Sequence, residues 1–173
     1  MEIRRLSSGE TEALLPDLAA LLQDTVAGGA SVGFLPPLSI EAALEYWREV
    51  VAALQGPHRV LLVARQDDRL VGTVQLDLAS RPNGAHRAEV AKLMVHAGFR
   101  RRGIGQALMQ TIEAEARAAG RTTLVLDTRA GDPSEQLYAS LGFQRAGVIP
   151  QYARSADGSL HDTLYMYKLL ETS

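Results

Sequence analysis

The segment Ala88–Gly120, AEVAKLMVHAGFRRRGIGQALMQTIEAEARAAG, constrains this chain more than any other. An apolar, strand-like run is followed by an arginine-rich glycine turn. A helix comes next, with Ile104, Leu108, Ile112 and Ala116 on one stripe at helical spacing. Arg100, Arg101 and Arg102 stand at the start of that helix. A helix N-terminus is electrically positive, so cations there are unfavourable unless an anion binds among them. Gly103 and Gly105 leave backbone N–H groups unshielded at the same place. Together these features make a phosphate cradle, and the expected ligand carries a pyrophosphate.

Composition narrows the alternatives. The 173 residues suit one domain over 1–173, long enough to bury a sizeable core. A net charge of −2 argues against bulk nucleic-acid binding, which needs a basic surface. With no cysteine there is no disulfide, thiol nucleophile or thiolate metal site. The opening MEIRRLSSGETEALL lacks the apolar core of a signal peptide, and no segment approaches the roughly 18 apolar residues of a membrane span. A cytoplasmic location is expected, with neither nucleic acid nor membrane as partner. His58, His86, His96 and His161 show no metal-ligand spacing, so no metal is expected.

The periodicity predicts the order β-α-α-β-β-β-α-β-α-β-β. Ile3–Leu6 opens as a strand, and Glu10–Val26 reads as one helix kinked or restarted at Pro16. Ala27–Leu38 is a Gly/Pro-rich loop, long enough for a binding loop or lid. Ser39 caps the next helix, which runs through Trp47 to Leu54 and stops at Gly56-Pro57. Strands Arg59–Arg65 and Leu70–Leu78 flank a polar turn, and Pro82-Asn83-Gly84 is a hairpin signal before the strand Arg87–His96. Thr123–Asp127 reads as a fully buried strand. Asp132, Pro133 and Glu135 mark a helix start, and Gly142 ends that helix. Final strands near Phe143–Tyr152 and Leu160–Leu169 flank Asp157-Gly158.

This order, the turn Arg100-Arg101-Arg102-Gly103-Ile104-Gly105 and the segment Leu137-Tyr138-Ala139-Ser140-Leu141-Gly142-Phe143 resemble the GNAT superfamily of N-acetyltransferases. A narrower likeness runs through Gly28–Phe34, Arg87–Val90, Lys92–Val95, Leu126–Thr128, Ala130-Gly131, Pro150, Tyr152 and Asp157–His161. It is to the tabtoxin-resistance acetyltransferases, which acetylate a β-lactam toxin. Many GNAT members carry Asn seven residues before the tyrosine, where this chain has Gly131. The resemblance implies an α/β (α+β) fold, with a mixed central sheet of about seven strands flanked by four helices and splayed between the fourth and fifth strands.

It also implies roles. Acetyl-CoA is the cosubstrate, its pyrophosphate held by the backbone of Arg101, Arg102, Gly103, Ile104, Gly105 and Gln106 with Arg100 alongside. Leu93, Met94 and Val95 pair with the pantetheine amides like an added strand, and one of their N–H groups polarises the acyl carbonyl. Glu89 is the candidate base. At period two it shares a face with Ala91, Leu93 and Val95, an apolar setting that raises a carboxylate's pKa. The alternative is a Glu paired with Arg87 or Lys92, or one at a strand edge. Asp127, at the carboxyl end of its strand, is implied to act with Glu89; otherwise it caps the following loop. Tyr138 is the candidate acid for the departing thiol, with a core-edge tyrosine as the alternative. Ser31, Phe34 and Tyr152 are candidate acceptor contacts, unless they only pack the loop.

The function expected is direct transfer of an acetyl group from acetyl-CoA to the amine of a small molecule within a ternary complex. A tabtoxinine-like β-lactam or another amino-acid-like compound is the leading acceptor class, and the chain is expected as a monomer or homodimer. Acetylation of a protein lysine or N-terminus, and a non-catalytic acyl-CoA sensor, remain as alternatives.

Overall fold

The computed structural model describes residues 1–171. In chain order the elements are β1 (Glu2–Arg5), α1 (Ser8–Ala13), α2 (Leu15–Ala27), α3 (Ile40–Ala53), β2 (Arg59–Gln66), β3 (Arg69–Leu78), β4 (Arg87–Val95), α4 (Ile104–Ala118), β5 (Thr123–Arg129), α5 (Ser134–Ser140), β6 (Gln144–Arg154) and β7 (Leu160–Leu169). The strands form one seven-stranded sheet in the order β1-β2-β3-β4-β5-β7-β6. Only β4 and β5 run parallel; the other neighbours are antiparallel.

Five helices flank the sheet, one more than expected. The helix anticipated over Glu10–Val26 is two. Ser7 caps α1 through a reciprocal capping box with Glu10, and α1 ends at Leu14. Proline lacks an N–H and its ring clashes with the carbonyl four residues earlier. Pro16 therefore cannot continue α1 and instead sits in the first turn of α2, where a missing N–H costs nothing.

The β2–β3 turn behaves as its sequence suggests. Asp67 and Asp68 both have positive φ, 50° and 60°, as a two-residue primed turn requires. Pro82-Asn83-Gly84 does not make such a turn. Neither Asn83 nor Gly84 has positive φ, and the three residues form a short 3-10 turn inside a longer connection closed by Ala79 N–H donating to the Arg87 carbonyl.

Apolar side chains fill both faces of the sheet. The predicted stripe of α4, Ile104, Leu108, Ile112 and Ala116, is buried against Val60, Leu62, Val74, Leu76 and Ala88. On the opposite face Leu18, Leu22 and Trp47 of α2 and α3 cover Leu61, Val63 and Met94. Gly72 lets α4 lie close to β3: a Cβ there would stand 3.0 Å from both Leu108 Cδ1 and the Met94 carbonyl oxygen.

Two irregularities in β4 shape the functional region. The β3–β4 register jumps between Thr73↔Met94 and Gln75↔Ala91, so Lys92 and Leu93 together oppose one residue of β3. Lys92 takes a left-handed conformation, φ 55°, in this bulge. Beyond a bulge the faces exchange. Leu93 and Val95 accordingly join Ala88 and Val90 on the α4 side. Glu89 and Ala91 share the other face, on which Met94 packs. The expected Glu89/Ala91/Leu93/Val95 face is thus not formed, because strict period two ends at Lys92. The second irregularity is the splay. β4 pairs with β5 only through Arg87↔Thr123, Ala88↔Leu124 and Glu89↔Val125, after which the strands diverge. For the same reason β5 is not fully buried: Leu124 and Leu126 are, but Asp127 is exposed at the opening.

Candidate active site

Two adjoining hollows meet at the splay, a groove between the start of α4 and the end of α2 and a cleft beside the α2–α3 loop. The groove, about 590 Å³, is lined by Leu93, Met94 and Val95 of β4, by Arg100, Arg101 and Gly103–Gln106, and by Leu137 and Tyr138 of α5. Gly103 precedes α4 with φ 78°, and no side chain caps the helix. The first N–H groups of an α-helix lack intrahelical acceptors, so those at Ile104, Gly105 and Gln106 face the groove unclaimed by a cap. A Cβ at Gly105 would make an ordinary contact with Leu137 Cδ2 of α5, 3.4 Å away. The Arg100 and Arg101 side chains stay with the groove, Arg100 Nε also donating to the Val95 carbonyl at 3.2 Å. Arg102 lies elsewhere; its guanidinium stacks over Phe99, 5.1 Å from the ring centre. From Val90 onward, the β4 edge that would have met β5 has no strand partner.

The cleft is more polar. Its walls are Ala30–Gly33 of the loop, Glu89–Leu93 of β4, Leu126–Arg129 of β5, and Asp132, Ser134, Tyr138, Tyr152, Ala153 and Thr163. Groove and cleft share Ala30, Leu93, Asp132, Ser134 and Tyr138, so they meet at the splay. Glu89, Asp127 and Tyr138, expected as chemical residues, therefore line one space.

The Glu89 carboxyl is raised above the usual carboxylate range, first by burial, then by the Asp127 and Asp77 charges, against the pull of Lys92 and Arg59. Tyr138 is pushed up to about 12, chiefly by burial, with Asp132 and Asp127 adding to it. Among the α5 residues only Tyr138 is buried. Its ring packs 6.1 Å from Phe143, whereas Leu137 and Leu141 are half-buried. Packing the ring inward raises the phenol and leaves Tyr138 on the wall of both cavities.

The family model for the acetyltransferase (GNAT) family matches residues 33–143, which include the groove's β4 edge, the α4 turn and α5. The chain belongs to the GNAT acetyltransferases. It is 34% identical over 117 residues to an N-acetyltransferase of the hisH-hisA intergenic region of Azospirillum brasilense, 66% of this chain and 68% of that one. It spans under half the length of the rat N-acetyltransferase 8-type relatives it also matches. Among solved structures, the ribosomal-protein-alanine N-acetyltransferase of Brucella melitensis superposes with TM-score 0.77 at 25% identity, covering 98% of this chain and 100% of that one. The yncA protein of Salmonella typhimurium, solved with its cofactor acetyl-CoA, gives 0.78 at 20% identity over 100% and 95% of the two chains. The seven-stranded mixed sheet with its single parallel pair is the family's fold.

In this acetyltransferase the three expected acceptor contacts lie apart. Ser31 is at the mouth of the cleft, where Oγ meets His161 Nε2 at 3.2 Å; His161 Nδ1 meets Ser155 Oγ at 3.0 Å, and Arg129 donates to Ser155. This chain of contacts ties the α2–α3 loop to the last hairpin. Tyr152 lines the cleft, its hydroxyl 2.8 Å from that of Tyr165. Phe34 does not reach the cleft; it packs edge-on against Tyr46, ring centres 5.3 Å apart, and lines a neighbouring hollow. Gly131, in place of the family's common Asn, has φ 81°, and its N–H donates to Glu135 Oε1. It thus serves the turn into α5. Two residues of the region were not anticipated as site residues. His161 showed no local signal, since its partner is 130 positions away. Lys92 did: a cation inside the apolar run of β4 is out of keeping with a buried strand.

Proposed function

We propose that this GNAT enzyme transfers an acetyl group from acetyl-CoA directly to the amine of a small molecule, both substrates being held at once in the two adjoining cavities at the splay. The meeting of groove and cleft at Leu93 and Tyr138 carries this reading. Acetyl-CoA supplies the activated acyl group and leaves as a thiol. The groove suits it: an uncapped helix start, two glycines and two arginines favour a pyrophosphate. The unpaired edge of β4 can take on an amide-bearing chain as an added strand. Free N–H groups along Leu93–Val95 are available to donate to the acyl oxygen.

The remaining steps fall to side chains of the cleft. Glu89, with Asp127 beside it, accepts the proton of the incoming amine; its raised pKa makes it a better base than an ordinary carboxylate. Tyr138, protonated at neutral pH, delivers its proton to the departing thiolate, which leaves as the thiol. The likeness of Gly28–Phe34 and Asp157–His161 to the tabtoxin-resistance acetyltransferases supports a compact amino-acid-like acceptor, tabtoxinine-type β-lactam amines among them.

The test is release of CoA thiol from acetyl-CoA against amino acids, β-lactam amines, aminoglycosides, polyamines and Lys-containing peptides. Because the chain has no cysteine, a thiol reagent sees only CoA. Release that depends on a small amine and collapses in Glu89→Gln supports the proposal. Turnover confined to peptides replaces it with protein acetylation, and acetyl-CoA binding without any release replaces it with a sensor.

A further inference from the structure

The chemistry above leaves Lys92 without a task. Its place is unusual on three counts. A non-glycine residue in the left-handed region is strained, and Lys92 is held there by the β4 bulge. The bulge sets the half-buried side chain between the cleft and a second cavity under α3, lined by Tyr46, Glu49, Arg59, Gln75 and Asp77. Lastly, among the described residues its ammonium has no hydrogen-bond partner and no carboxylate within 4.0 Å. What approaches it is the face of Tyr46, 5.9 Å from Nζ to the ring centre. Burial pushes its pKa down, and the more distant charges of Asp127 and Glu89 oppose that only in part.

Holding a partly desolvated cation without an anion in contact is costly, and the cost is recovered when an anion arrives. The structure leaves room for one. Gly33, in the loop over the cleft, has φ 93°, and a Cβ there would come 3.5 Å from Lys92 Nζ. The other cations nearby are already engaged. Arg129 donates to Ser155, and Arg59 donates to Gln75 at 2.8 Å and lies 3.5 Å from Asp77. Across the cleft the charge reverses, with Glu89, Asp127 and Asp132 in its lining. Among the described residues, an ammonium without a hydrogen-bond partner in the same lining as three carboxylates is the complement of a molecule carrying both a carboxylate and an amine.

We infer that Lys92 is the anion-binding residue of the acceptor site, holding a carboxylate of the acceptor while its amine lies at Glu89 and Asp127. The acceptor class is therefore an amino carboxylate, and a diamine is disfavoured because its second cation would meet Lys92. This rests on the proposed transfer reaction for the amine's position, though not for the anion site itself.

The test compares α-amino acids with their carboxamides and with putrescine, in the wild type, Lys92→Met and Lys92→Arg. Met keeps the aliphatic stem against Tyr46. The wild type should favour the acids over the amides by about 10- to 100-fold in kcat/KM, the worth of one charge-assisted hydrogen bond. Lys92→Met should erase that preference through KM for the acids, with KM for acetyl-CoA unchanged, and Lys92→Arg should restore part of it. Equal loss of kcat on acids and amides in Lys92→Met, or a wild type that takes amides or putrescine as readily as acids, overturns the assignment. Turnover is not required to read the site. Saturating α-amino acid should raise the thermal midpoint of the wild type more than that of Lys92→Met, and no difference between the two overturns the anion site whatever the transfer assay shows.

Discussion

Replacing Tyr138 by Phe removes one oxygen from the junction of groove and cleft and little else. The ring is 8% exposed and packs on Phe143, and among the described residues its hydroxyl has no hydrogen-bond partner. Loss of an unpartnered hydroxyl should change stability by no more than about 0.5 kcal/mol, a shift of about 2 °C or less in thermal midpoint for a chain of this size. Activity should respond far more. With a pKa of about 12, the phenol outnumbers the phenolate by about ten thousand to one at pH 8. A positioned acid contributes about 10²- to 10⁴-fold, so kcat at pH 7 should fall by that factor, about 2.7–5.5 kcal/mol in barrier. The deficit should shrink as pH rises past a free thiol's pKa of about 8.5, because the thiol then leaves without needing a proton. The assay is CoA release at saturating substrates from pH 6 to 10, beside a thermal melt of both proteins. An unchanged rate at pH 7, or a deficit constant across the range, would refute the acid role. A lowered midpoint matching the loss would instead make Tyr138 a packing residue.

Two further outcomes follow from particular contacts. Asp127→Asn removes one of the charges that raise Glu89; Glu89 then ionises at lower pH, and because the base must be ionised, the acid limb of the kcat/KM profile should move to lower pH while activity persists above it. Collapse at every pH would make Asp127 the base itself. Gly72→Ala places a methyl 3.0 Å from the Met94 carbonyl, a backbone atom that cannot step aside, and from Leu108 Cδ1; it should cost about 1–3 kcal/mol and lower the thermal midpoint by about 3–10 °C, whereas a midpoint at or above the wild type's would show that α4 yields.

The parts of the site legible in the sequence are those whose cause is local. Gly103, at φ 78° before α4, and the arginines ahead of it fix a local turn into an uncapped helix start, and that much is legible in Arg100–Gln106 with no knowledge of the rest of the sheet. Ser39, capping α3 by accepting from the Ala42 N–H at 3.1 Å, is equally local. Pro16 reads as a kink or a restart; the helix restarts there, and which of the two occurs depends on what Ser7 and Glu10 stabilise upstream. Glu89 shows where such reasoning stops. Its candidacy came from family likeness and a period-two face, but that face is undone three residues later by a bulge that exists because β4 must match β3 on one edge while parting from β5 on the other. No pattern within β4 announces this, since alternation is a property of one strand and register a property of two. Yet the same bulge sets Lys92 on the wall of two cavities. The lysine amid EVAKLMV marks where the strand departs from regular alternation. Where a sequence breaks its own pattern at a site already suspected on other grounds, the break is better taken as a statement about backbone geometry, and the residue that makes it as a candidate for contact with substrate.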